Sequence, residues 1–77
     1  MRYNIGDIVR LTYQPHSMVI IRITKIEKWD RQERKYQLFG ITLLNSLRVP
    51  LLIEDGPYYA FTKIEKLSED DLIVELL

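Results

Sequence analysis

The side chains able to do chemistry are few and scattered. His16 is the sole histidine, and the chain has no cysteine. It sits in Gln14-Pro15-His16-Ser17, where Pro15 fixes φ and cannot donate to a ladder. A zinc site needs several His or Cys ligands, and a nucleophilic pair needs a base beside its Ser or Cys. One turn histidine supplies neither, so His16 reads as an exposed turn residue. Glu54-Asp55 and Asp70-Asp71 are paired carboxylates. General acid–base work needs two such groups whose surroundings drive their pKa values apart. These pairs fall in a turn and at a helix start, where hydration and capping account for them. Gly6, Gly40 and Gly56 lie far apart and make no phosphate-cradling loop. The sequence therefore predicts no catalytic residue, no metal and no cofactor, and a protein that is not an enzyme.

One cluster suggests contact rather than turnover. Trp29 and Tyr36 flank the segment 30–35, with Lys28, Arg31, Arg34 and Lys35 around them. Aromatics beside cations can stack bases and meet phosphates, or grip a peptide. The plainer reading is that Trp29 and Tyr36 staple a hairpin, because cross-strand aromatic pairs are ordinary sheet stabilisers. Tyr58, Tyr59 and Phe61 are expected to give volume to a small core.

Those residues need elements to hold them, and the chain is short. With 77 residues, 47% of them apolar and 29% charged, it makes one domain with a thin core. Net charge is zero, yet residues 22–35 carry +3 and residues 54–77 carry −5. A neutral domain supplies few unopposed phosphate contacts. Met1 leads directly into Arg2-Tyr3-Asn4 without an apolar run, so no signal peptide is expected. No stretch approaches about 18 uninterrupted apolar residues, so no membrane span is expected, and the cytoplasm is the default location.

Ile5-Gly6-Asp7 signals a turn, with Asp7 bonding nearby amides. Ile8 to Tyr13 alternates as a strand, Val9, Leu11 and Tyr13 on one face, Ile8, Arg10 and Thr12 on the other. Met18 to Trp29 is rich in β-branched residues. Val19, Ile21 and Ile23 share one parity and Ile26 has the other, which predicts a bulge near Thr24-Lys25. Asp30 to Arg34 reads as a hairpin tip, and Lys35 to Leu44 as a third strand. Leu47 to Ile53 reads as a fourth strand limited by Pro50, Glu54-Asp55-Gly56-Pro57 as a turn, and Tyr58 to Lys63 as a fifth strand. Ser68 and Asp71 have the spacing of a capping box, so a short helix is expected at about 68–77. Its packing side should hold Leu72, Ile73, Leu76 and Leu77.

This pattern predicts a mainly β domain over residues 1–77: a five-stranded bent barrel or roll with a short C-terminal helix. The opening Tyr3-Asn4-Ile5-Gly6-Asp7-Ile8-Val9-Arg10-Leu11 resembles the G-D-x-V entry to the first strand of SH3-like barrels of the KOW and Tudor types. That resemblance covers residues 3–44 and implies an SH3-like small barrel. The segment Ile64-Glu65-Lys66-Leu67-Ser68-Glu69-Asp70-Asp71-Leu72-Ile73 is similar to the ending of small uncharacterised proteins from phages and mobile elements of gut Bacteroidetes, with Lys66 where their pattern has Pro. It implies a genomic context rather than an activity. The function expected is a non-enzymatic binding module acting through protein–protein interaction or self-association. The alternative is nucleic-acid binding through Lys28, Trp29, Arg31, Arg34, Lys35 and Tyr36.

Overall fold

The computed structural model describes residues 3–30, 35–46 and 52–77, and for residues 28–30 and 35–36 it describes the backbone alone. The chain enters through the turn at Asn4–Asp7. There the Asn4 amide donates to Asp7 Oδ2 at 2.9 Å and the Asp7 amide donates to the Asn4 carbonyl at 3.1 Å. The same turn is tied to the sheet, since the Gly6 amide donates to the Ile23 carbonyl and the Ile23 amide to the Asp7 carbonyl. From it run β1 (Ile8–Tyr13), β2 (Ser17–Asp30), β3 (Lys35–Asn45), β4 (Ile53–Tyr58), β5 (Lys63–Leu67) and α1 (Glu69–Leu76).

The five strands form one sheet in the order β4-β3-β2-β1-β5, each neighbour antiparallel. The fold is thus mainly β with a short C-terminal helix, as the sequence predicts. The sheet does not close into a barrel. β4 and β5 lie at its opposite edges and do not pair with each other. β4 is irregular and carries Pro57, which has no amide to donate across an open edge.

Bending is built into β2. Ile23 faces Gly40 and Lys25 faces Phe39, so Thr24 is the extra residue of a bulge. This is where the parity shift predicts one, and the bulge returns Ile26 to the face of Val19, Ile21 and Ile23. The bend brings backbones together: a Cβ on Gly40 would be driven against the Arg22 carbonyl oxygen.

The sheet uses both faces. Val9, Leu11, Val19, Ile21, Ile23 and Leu38 form one buried cluster, flanked by Tyr3, Tyr13, Ile26, Tyr58, Phe61 and Ile64. Ile8, Ile20 and Leu44 form a second cluster on the other face, which α1 closes with Leu72. Each fully buried aliphatic side chain contributes about 1.5–3 kcal/mol. The larger cluster therefore carries most of the stability.

The last two strands fall elsewhere than expected. Of the expected strand Leu47 to Ile53, residues 47–51 lie outside the described residues, and Ile53 opens β4. The predicted turn Glu54–Pro57 lies inside β4. Leu38 pairs with Tyr58 and Gly40 with Asp55, so Gly56 and Pro57 together oppose Phe39. The turn-forming residues make a bulge instead of a reversal, and Gly56 takes φ +139°, a backbone that L side chains rarely adopt. The predicted strand Tyr58 to Lys63 is instead the end of β4, a connection, and the first residue of β5. In β5, Ile64 faces the larger cluster and Leu67 the smaller one. That division between faces removes the single-face alternation by which a half-buried strand is recognised.

Gly40→Ala is expected to destabilise the fold by about 1–3 kcal/mol, because the β2 backbone blocks the added methyl. Chemical denaturation checks this, and unchanged stability would contradict the close approach.

Candidate interaction surface

The predicted hairpin site lies largely outside the described residues. Arg31 and Arg34 are not described at all, and of Lys28, Trp29, Lys35 and Tyr36 only the backbone is. Register sets Lys28 opposite Tyr36 and Asp30 opposite Lys35. Trp29 falls between those pairs as the extra residue of a bulge, so it is not the direct cross-strand partner of Tyr36.

Both members of the Glu54-Asp55 pair are hydrogen-bonded within the fold. Glu54 Oε1 accepts from the Thr24 hydroxyl at 3.2 Å. Asp55 accepts from the Gly56 amide at 2.8 Å and from the Tyr58 phenol at 3.3 Å. With the phenol proton directed at Asp55, the Thr42 hydroxyl is the donor in its own contact with Tyr58. Burial, followed by the charge of Asp55, raises the Tyr58 phenol above its ordinary range even though the Thr42 bond opposes the shift. Tyr13 is raised by burial and by Tyr58. Phenols raised in this way stay protonated at neutral pH and are hydrogen-bonding groups, not bases or nucleophiles. Among the described residues, no group of three or more His, Asp or Glu gathers to hold a metal ion. His16 is exposed in the turn between β1 and β2.

Large apolar side chains are exposed around β4, at Leu52, Ile53 and Tyr59, the last expected in the core, and along α1. The start of α1 matches the sequence. Ser68 Oγ accepts from the Asp71 amide at 3.1 Å, Asp71 Oδ2 accepts from the Ser68 amide at 3.0 Å, and Glu69, Asp70 and Asp71 occupy the first turn. These bonds hold the Asp71 carboxyl below its ordinary value. The packing side differs from expectation. Leu72 is buried at 8% exposure, whereas Leu76 is 46%, Ile73 55%, Val74 68% and Leu77 97% exposed.

The reason is an arginine on the sheet. Arg10 projects from β1 on the face of the smaller cluster. Its Nη1 donates to Glu75 Oε1 at 2.6 Å, while Nε and Nη2 donate to the two carboxylate oxygens of Glu65, its register partner on β5, at 3.3 and 3.4 Å. Drawing Glu75 inward sets the side of Leu72 and Glu75 toward the sheet, while Leu76 stays nearly half exposed. The stripe 70/73/74/77, at helical spacing i, i+3, i+4, i+7, then faces outward. It contains Asp70, Ile73, Val74 and Leu77. At the other end of the helix, Arg22 Nη2 donates to Glu69 Oε1 at 3.1 Å. The periodicity of the sequence marks 72, 73, 76 and 77 as apolar, but it does not show that Glu75 has a half-buried cation to meet.

Comparison with family models, with curated proteins and with solved structures gave no match. No helix among the described residues is long and apolar enough to cross a membrane.

Because Asp71 has a lower pKa folded than unfolded, its cap stabilises the helix fully above its ordinary value of 3.8. That contribution is lost as pH falls through the lowered folded value. NMR titration of Asp71 and of the α1 amides should show the helix start loosening in that acid window, and Asp71→Asn should flatten the response. An Asp71 titrating at its ordinary value would contradict the capping geometry.

Proposed function

We propose that the protein is a small non-enzymatic binding module that acts through protein–protein interaction, with the outward stripe of α1 as its contact surface. The observation that carries this reading is the exposure of Ile73 and Val74 on α1, and of Leu77 at its C-cap, with the helix fixed to the sheet from its other side. Of the positions i, i+3, i+4 and i+7 by which a helix enters an apolar groove of a partner, Ile73, Val74 and Leu77 are apolar and Asp70 supplies a charge at the rim. Such a helix normally turns its apolar side to its own core. Here a carboxylate occupies the inner stripe, and the outer one is left for another molecule. The Gly6-Asp7 likeness to SH3-like small barrels, a cytoplasmic setting and a phage or mobile-element origin belong to the same reading.

The test compares the wild-type protein with the Ile73→Ser/Val74→Ser double variant, both immobilised and both measured for mass in solution. The expected result is a protein partner, or a second copy, that binds the wild type and is lost from the variant, with the sheet intact by circular dichroism. A monomer that retains nothing, or equal retention by both proteins, would overturn the reading.

A further inference from the structure

The attachment of α1 differs in kind from the rest of the packing. Leu72 is its one buried side chain. Ionic ties join the helix to the sheet beside it: Arg10 to Glu75, and Arg22 to Glu69. The charges around them are Glu65, which shares Arg10, and Lys63, whose Nζ lies 3.6 Å from Glu65 Oε1. Lys66, on the same strand as Glu65, lies 3.5 Å from Asp7 Oδ2. Glu69 is well exposed, whereas Arg10 and Glu75 are about three-quarters covered. Beneath the helix the sheet presents Ile8, Ile20 and Leu44, with Met18, Leu43 and Leu67 at the margin.

We infer that α1 is an ionic latch: it detaches from the sheet as a unit while the sheet stays folded, is released by added salt, and on release uncovers Ile8, Ile20 and Leu44 as a second apolar surface. Three features lead there. A helix of eight residues does not hold its shape in water unaided, so undocking and unwinding are one event. The sheet does not need the helix for its main core, because none of the residues in the larger cluster comes from α1. Ion pairs that reach water are weakened by salt, whereas the apolar contacts within the sheet are not. Elements of this kind open at lower free energy than the core. The latch does not require that the outward stripe have a partner, although a partner bound there would oppose release.

Hydrogen exchange at about 20 mM and about 500 mM sodium chloride, resolved by residue, tests it. The helix amides, among them those of Leu72 and Leu77, which donate to the Ser68 and Ile73 carbonyls, should exchange at least about fivefold faster at high salt. Amides of the β1–β2 ladder should not follow. Glu75→Gln should accelerate helix exchange at low salt and reduce the salt response. Because the chain has no cysteine, Leu44→Cys gives a single thiol, and its labelling should rise together with helix exchange. Helix amides that exchange only as fast as the sheet would overturn the latch. So would helix exchange indifferent to salt and to Glu75→Gln, or a thiol in the Leu44→Cys variant that stays closed while the helix opens.

Discussion

Arg10 is the constraint on which the arrangement depends. It is a cation set beside Ile8 and its register partner Ile20, on a face it shares with Arg22 and Glu65. A charge so placed is costly unless paired, and two carboxylates from distant parts of the chain meet it. Glu65 joins it from the neighbouring strand and Glu75 from the helix. The guanidinium fork serves both at once, which a lysine could not do with the same geometry. These bonds raise the arginine still further above its ordinary range, the Glu65 bond foremost, and they hold the Glu65 carboxyl below its own. The triad joins β1, β5 and α1, and it decides which side of the helix the sheet receives.

The two faces of the sheet consequently do different work. One holds an aliphatic core with a rim of aromatics, and supplies the free energy that keeps so short a chain folded. The other is a platform on which two ion pairs and one leucine seat a helix. A fully apolar second face would draw Ile73 and Val74 inward. A fully polar one would hold no helix. The mixture presents a helix that shows its apolar side to the surroundings.

How much of this the sequence reveals depends on the range of each interaction. The first three strands are legible because each is marked locally, by the Asp7 turn, by Pro15 and by β-branched runs. The bulge at Thr24 is legible too, because a change of parity is itself a local signal. The helix start follows from Ser68 and Asp71 alone. β4 is misread because Gly56 and Pro57 are the same residues that build turns, and only pairing with β3 turns them into a bulge. β5 is missed because Ile64 and Leu67 serve opposite faces. The orientation of α1 is hidden for the longest-range reason of all: Arg10 and Glu75 are 65 positions apart. The predicted contact hairpin at 28–36 is legible as a composition. Its side chains lie outside the described residues, whereas the exposed apolar side chains of α1 lie within them.

A double-mutant cycle on Arg10→Met and Glu75→Gln, followed by chemical denaturation, tests the seating of the helix most directly. If this pair seats it, the two substitutions will be strongly non-additive, with a coupling of about 1 kcal/mol or more. Effects that simply add, to within about 0.3 kcal/mol, would mean that Arg10 does not hold Glu75, and that the outward stripe of α1 owes its exposure to something else.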